Sequence, residues 1–147
     1  MYTHSTIRHF RKATLCAVFA LLAGAATSVG AQQQLIVRVN TQNYDIEAKA
    51  VMIQITGHHT NTPGCVQLTP PSLDRSGNVR KPGNGSGPIL LLGYTYDVYA
   101  MRDSSCNIGG YIVGESTTGY TVKSTATRLF TIFKDANGNG KLTITTP

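Results

Sequence analysis

The sequence predicts an all-β protein: a single antiparallel β-sandwich, immunoglobulin-like or transthyretin-like, with about seven or eight strands behind a cleaved signal peptide. Beyond residue 31, apolar residues recur mostly at every second position, which is the spacing of a strand with one buried face. Clusters of Gly, Pro, Asn and Ser separate the short apolar segments, as turns do. The length of 147 residues fits one domain.

Residues 1–31 have the composition of a secretory signal peptide. A basic start without acidic residues precedes an apolar run over residues 13–26. Val29 and Ala31 are small residues at the −3 and −1 positions, which predicts cleavage after Ala31. A membrane anchor is the alternative, but an anchor needs about 20 apolar residues and this run is shorter. The predicted division is therefore a signal peptide over residues 1–31 and a sandwich domain over residues 32–147.

Cleavage changes the charge balance of the chain. The full sequence has 13 Lys and Arg against 7 Asp and Glu, a formal net charge of +6. Three of the basic residues and none of the acidic ones precede residue 32, so the net charge falls to +3. This excess lacks the concentrated basic surface of a nucleic-acid-binding domain. We predict no nucleic-acid partner and, since no second long apolar run follows, no stable membrane span after cleavage.

Cleavage also removes Cys16 and leaves two cysteines, Cys65 and Cys106. An even number of cysteines in an exported chain predicts a disulfide. Closing a loop of 41 residues would stabilise the fold by about 4 kcal/mol. Two separate buried thiols are the alternative, and a zinc site is not predicted because neither residue belongs to a CxxC pair.

The first strands are predicted near the start of the mature chain. Residues 35–39 alternate as a half-buried strand does. In residues 46–55 the apolar side chains change parity at Ala50 and Val51, which we interpret as a strand with a β-bulge. A helix is the alternative for this segment, because Glu-Ala-Lys-Ala favours helices.

The clearest strand pattern covers residues 94–101, where Tyr94 and Tyr96 share one face and Tyr99 takes the other. This pattern predicts a central strand, with a bend at Gly93. Four further strands are predicted over residues 110–115, 119–123, 127–134 and 141–145.

Residues 57–88 are rich in Pro, Gly, Asn and Ser and contain one short strand candidate, residues 65–68. A loop of this length is typically functional or flexible. Its cations Arg75, Arg80 and Lys81 indicate either a solvated loop or one that contacts phosphate or glycan groups.

Tyr99 and Tyr111 complete the predicted binding surface. Tyrosine serves recognition because it combines apolar area with a polar tip. Alternation along the strand assigns one set of tyrosines to the core and leaves the other set for a surface patch.

Asp135, Asn137 and Asn139 have the spacing of the first three ligands in an EF-hand loop. Position 12 of that loop is Thr146, so the bidentate carboxylate is missing. We predict a hairpin turn, with a weak calcium site as the alternative. The segment over residues 133–140 resembles hairpins in secreted transthyretin-like and Cna-B-like sandwich modules.

His58 and His59 are the two histidines of the mature chain. Adjacent side chains on an extended backbone point to opposite sides, which disfavours a shared metal ion. The sequence also lacks a Gly-x-Ser-x-Gly nucleophile motif. We therefore predict no catalytic residue, no confident metal site and no cofactor other than the weakly bound calcium.

These observations predict an exported, non-catalytic binding or assembly module of a bacterial periplasm or surface. Its partner would be a protein or a glycan outside the cytoplasm, and a homo-oligomer is one form that assembly could take. One alternative is an exported inhibitor or toxin-like ligand that uses residues 57–88. Another is a small secreted hydrolase that uses His58 or His59.

Overall fold

The computed structural model describes residues 34–57 and 64–147, and this part of the chain is all-β, without a helix. Its ten strands are β1 (Ile36–Asn43), β2 (Ala50–Ile55), β3 (Gly64–Gln67), β4 (Ser72–Leu73), β5 (Val79–Lys81), β6 (Ser86–Leu91), β7 (Thr95–Met101), β8 (Tyr111–Thr121), β9 (Arg128–Lys134) and β10 (Gly140–Thr145). Sheet A has the order β10-β9-β1-β6, and sheet B has the order β3-β2-β7-β8. Strands β4 and β5 form a separate two-stranded hairpin.

One hydrophobic cluster contains side chains from both four-stranded sheets. Val37 and Phe130 of sheet A and Val51 and Val98 of sheet B are fully buried in it. In β1, buried and exposed residues alternate, because one face covers this cluster and the other faces solvent. Burial of each such side chain stabilises the fold by about 1.5–3 kcal/mol. The shared cluster gives the two sheets a sandwich-like arrangement.

The all-β prediction is confirmed, but two details of the predicted sandwich are wrong. The described residues form ten strands rather than seven or eight. In addition, β1 and β9 pair in parallel, so the sheets are not purely antiparallel. The chain leaves β8 beside the start of β1, where the N–H of Gly93 donates a hydrogen bond to the carbonyl of Val122. Strand β9 therefore begins at the end of sheet A where β1 also begins, and the two strands run parallel.

The segment over residues 46–55 is neither a helix nor one bulged strand. A turn precedes β2, and the side chains of Asn43 and Asp45 hold it by hydrogen bonds with Ala48 and Glu47. Strand β2 then begins at Ala50 and is buried on both faces, so its apolar residues do not alternate with polar ones. The change of parity marks the end of this turn rather than a bulge.

Two predicted strands, residues 110–115 and 119–123, are one continuous strand, β8. Its register against β7 shifts twice, between Tyr96 and Val98 and between Tyr99 and Met101. These irregularities interrupt the alternation of burial along β8, which makes one long strand resemble two short ones.

The predicted long loop over residues 57–88 contains more regular structure than expected. Beyond β3, it holds the β4–β5 hairpin and the start of β6. The pairing of β6 with β1 shifts register between Arg38 and Asn40, opposite Pro88. Proline cannot donate to the ladder, so it is tolerated at this irregularity. Because the segment is rich in turn-forming residues, its sequence pattern does not reveal β4, β5 or the start of β6.

Most of the loops with charged residues lie at one end of the two sheets. In sheet B, the start of β2 pairs with the ends of β3 and β7. In sheet A, the end of β1 pairs with the later part of β9 and forms a bridge to Gly83. We call this the loop end; it comprises residues 44–49, 68–85, 102–110 and 135–139.

Candidate functional site

The predicted basic cluster lies on the β4–β5 hairpin. Arg75 and Arg80 line one hollow together with Asp74 and Ser76. Lys81 is exposed on β5, next to Arg80. Within residues 34–57 and 64–147, none of these three cations forms an ion pair with a carboxylate. The hairpin therefore presents positive charge to solvent.

The turn of this hairpin is held by the carboxylate of Asp74. Its Oδ1 accepts hydrogen bonds from the backbone N–H of Ser76 at 2.9 Å, the hydroxyl of Ser76 at 2.8 Å and the N–H of Asn78 at 2.9 Å. These bonds, above all the one from the Ser76 side chain, lower the pKa of Asp74. The acidic charge beside the two arginines is thus engaged by the turn itself.

The hairpin also exposes apolar surface. Leu73 and Val79 are opposite one another in the β4–β5 ladder, and they are 41% and 39% exposed. Neither side chain belongs to the hydrophobic cluster shared by the two main sheets. An exposed apolar pair with three neighbouring cations is a surface suited to contact with an acidic partner.

Tyr99 and Tyr111 form a separate pair. Their ring centroids are 5.0 Å apart, and both pack against a small cluster that contains Met52, Met101 and Cys106. Burial raises the pKa of Tyr99, and the charge of Asp97 adds to this effect. The structure brings these tyrosines to each other and to the region of the disulfide, where they contribute packing.

The predicted pair of cysteines is joined. The sulfur atoms of Cys65 and Cys106 are 2.09 Å apart and link β3 to the connection between β7 and β8. Strand β3 is at the edge of sheet B and most of its residues are exposed. The disulfide therefore anchors a strand that buries little surface, and its presence is compatible with export.

Within residues 34–57 and 64–147, three loops share one hydrogen-bonding pattern that was not predicted from the sequence. In each, an aspartate Oδ1 accepts from the N–H groups two and four residues later: Asp74, Asp103 and Asp135. The residue three positions after each aspartate has positive φ: Gly77 (86°), Cys106 (54°) and Gly138 (78°). Cys106 thus takes a backbone conformation that glycine supplies in the other two loops.

Removing the disulfide should reveal the conformational cost at Cys106. In a Cys65→Ala background, Cys106→Gly should be more stable than Cys106→Ala by about 1 kcal/mol, because left-handed backbone penalises a Cβ. Urea denaturation of the two double variants measures this difference. Equal stabilities would show that the loop relaxes out of the left-handed conformation once the disulfide is absent.

The segment that resembles an EF-hand loop is a hairpin turn between β9 and β10, as predicted. Asp135 Oδ1 accepts from the N–H groups of Asn137 and Asn139, and its Oδ2 is 3.4 Å from the Lys141 ammonium. These bonds, chiefly the one from the backbone of Asn139, lower the pKa of Asp135. In the described ranges, no group of three or more His, Cys, Asp or Glu is placed to hold a metal ion.

A buried carboxyl pair at the loop end was not predicted. Glu115 is fully buried, Asp45 is 3% exposed, and three of their four carboxyl oxygens have no hydrogen-bond donor among the described residues. Burial, helped by the adjacent Asp45, raises the pKa of Glu115 to about 9. Glu115 is therefore protonated at neutral pH and can donate one hydrogen bond to Asp45, which would engage two of the three otherwise unpartnered oxygens.

Two cations and a third carboxylate surround this pair. The Lys134 ammonium is 3.6 Å from Asp45 Oδ1 and 3.2 Å from Glu47 Oε1. Arg102 Nε is 3.5 Å from Glu47 Oε2. Burial raises the pKa of Asp45, but hydrogen bonds with Glu115 and Glu47 and the charge of Lys134 together lower it below its ordinary value. Asp45 is therefore the ionised member of the pair.

No family model, curated protein or solved structure matches this chain. In the part of the chain that the structure describes, no helix is long and apolar enough to cross a membrane. The predicted signal peptide over residues 1–31 and the histidines His58 and His59 lie outside the described residues. The geometry of the loop end is therefore the basis for a functional proposal.

Proposed function

We propose that this chain is an exported, non-catalytic binding or assembly module with a transthyretin-like sandwich fold. Its contact surface is the loop end, and the β4–β5 hairpin is the main contact. The partner is a protein or glycan outside the cytoplasm, in the periplasm or at the cell surface.

The order of strands favours the transthyretin-like alternative for the fold. In an immunoglobulin-like constant domain the first two strands belong to the same sheet. Here β1 and β2 belong to different sheets of four strands each. The predicted signal peptide and the disulfide support export, because disulfides persist in oxidising compartments.

The observation that carries the proposal is the exposed hairpin with unpaired cations. Arg75 and Arg80 share a hollow, the turn beside them is held by Asp74, and Leu73 and Val79 are exposed opposite each other. A hairpin held in this way loses little conformational freedom on binding. Arginine side chains engage carboxylate and phosphate groups in paired hydrogen bonds, so the proposed partner presents acidic groups.

Affinity capture from the native exported fraction tests this function. Arg75→Ala/Arg80→Ala should weaken binding of the captured partner by about tenfold or more, with a smaller dependence of affinity on salt. Arg38→Ala/Lys123→Ala removes two exposed cations outside the hairpin and should leave binding unchanged. A partner retained equally by both double variants would exclude the hairpin as the contact.

A second candidate function is inhibition of an exported enzyme. The observation that favours it is the same stiff turn at Asp74, which would let the hairpin enter an active site without further ordering. Inhibition of the captured partner's activity would support this candidate. Assembly of identical copies, in contrast, should give sedimentation coefficients that rise with protein concentration.

A further inference from the structure

A polar groove lies beside the β4–β5 hairpin and consists of two hollows that meet at Asn84. Asn84 lines two adjoining hollows, one of 390 Å³ and one of 470 Å³. Asn40, Gln42 and Leu129 also line the first hollow, and Gln67 and Thr69 also line the second. Both are hollows open to solvent rather than enclosed cavities, and the second is the shallower.

The backbone around Asn84 is fixed from two sides. Gly83 exchanges two backbone hydrogen bonds with Asn43, at 2.8 and 2.9 Å. Gly85 donates to the Thr41 hydroxyl and accepts from it, at 2.8 and 3.1 Å. The carbonyl of Asn84 accepts from the N–H of Thr69 at 3.0 Å. This segment therefore joins the end of β1 to the chain that follows β3.

Such close approach requires glycine on both sides of Asn84. A Cβ at Gly83 would lie 1.7 Å from the carbonyl oxygen of Thr69, and a Cβ at Gly85 would lie 2.7 Å from that of Gln67. Asn84 consequently carries the one side chain of this three-residue segment, and that side chain is exposed between the two hollows.

Polar side chains of the groove differ from those of the neighbouring turns. Asp74, Asp103 and Asp135 satisfy the backbone of their own loops. Among the described side chains, by contrast, the amides of Asn40, Gln42, Gln67 and Asn84 and the hydroxyl of Thr69 donate no hydrogen bond to another protein group and accept none. These groups are available to a ligand.

We propose that this groove binds a neutral oligosaccharide, with Asn84 between two adjacent sugar units. Among the described residues, no Asp, Glu, Lys, Arg or His side chain lines either hollow, so the lining side chains offer no charge to an ionised ligand. Pro147, the last residue of the sequence, also lines the first hollow. Amide side chains both donate and accept hydrogen bonds, as sugar hydroxyls do. Leu129 and Pro82 supply apolar surface against which the C–H face of a sugar packs.

The groove is a site additional to the basic hairpin. Arg75 and Arg80 line a different hollow, and none of the hairpin's three cations lines the groove. Failure of sugar binding would therefore leave the proposed anionic partner untouched, and loss of the anionic partner would leave the groove intact.

Titration of the ¹⁵N-labelled protein with trisaccharides tests the groove. The neutral probes are maltotriose, cellotriose and triacetylchitotriose, each added up to about 10 mM to detect millimolar affinity. We expect saturable shifts of the backbone amides of Gly83, Asn84, Gly85 and Thr69 with at least one of them. Asn84→Ala should weaken that binding by about tenfold or more, because it removes hydrogen bonds in both hollows.

Two comparisons make the result decisive. Asn137→Ala removes an exposed amide that lines neither hollow, and it should leave the affinity unchanged. Trigalacturonate matches the neutral probes in size but is anionic, and it should not shift the groove amides. Absence of saturable shifts with every neutral probe, insensitivity to Asn84→Ala, or a response to trigalacturonate alone would overturn the proposal.

Discussion

Glu115→Gln is expected to raise the free energy of unfolding at neutral pH by about 2–3 kcal/mol. Glu115 is fully buried against Asp45 and its pKa is raised to about 9. The folded protein must keep this side chain protonated, whereas the unfolded chain ionises it at neutral pH. Glutamine retains a donor for Asp45 without this cost, because its amide does not titrate.

The direction in which stability changes with pH follows from the raised pKa of Glu115. Between the ordinary pKa of 4.5 and about 9, the folded state binds one proton more at Glu115 than the unfolded state does. The free energy of unfolding should therefore fall by up to about 1.4 kcal/mol for each pH unit in this range. Asp45 has the opposite sign: its pKa is lowered, so its contribution is lost only as the pH falls below 3.8. Stability should be greatest in mildly acidic solution.

Urea denaturation of the wild-type and Glu115→Gln proteins at acidic, neutral and alkaline pH measures this effect. The substituted protein should lose most of the decline toward alkaline pH. Glu47→Gln is the matched control, because Glu47 is exposed and its substitution should leave the decline in place. If the wild-type and Glu115→Gln proteins lose stability in parallel as the pH rises, the proton is not held by Glu115.

Sequence reasoning located best the strands whose apolar residues keep a period of two. In β1 the buried side chains alternate with exposed ones, with Val37 and Val39 on the core face. In β7, Tyr96 and Val98 keep the same period, although Asp97 between them is also buried. The rule failed for β2, where both faces are buried, and for β4 and β5, which bury no face. The parallel β1–β9 pair depends on the sheet to which the chain returns, which no local pattern shows.

The candidate sites also divide into features that the sequence shows and features that only the folded chain creates. The cations of the hairpin and the cysteine pair are visible in the sequence as residue types, and so is the Asp-x-Ser/Asn-x-Asn spacing of the three turns. Burial of Glu115 is not visible in the sequence, because it depends on the close approach of β8 in sheet B to β10 in sheet A. A Cβ added to Gly140 would lie only 2.6 Å from the Cγ of Glu115. The groove joins Asn40, Gln67 and Asn84 from distant segments, and only the folded chain brings them together.

Loss of the disulfide should lower the free energy of unfolding by about 4 kcal/mol, the largest single effect expected for this chain. The Cys65–Cys106 bond closes a loop of 41 residues, which restricts the unfolded chain far more than the folded one. Urea denaturation of Cys65→Ser/Cys106→Ser against the oxidised wild type measures this difference. Wild type under reducing conditions should match the double variant, since it lacks the same covalent link.

Removal of the disulfide should also destabilise some parts of the fold more than others. Strand β3 is an exposed edge strand paired with β2, whereas β9 lies within sheet A and carries fully buried Phe130 and Ile132. Hydrogen exchange of the double variant should therefore accelerate first in β3 and the β7–β8 connection, before β9 and β10. Gln67 ends β3 and Thr69 follows it, so this opening would reach the second hollow of the groove. Uniform acceleration in both sheets would instead mean that the disulfide acts only on the global unfolding equilibrium.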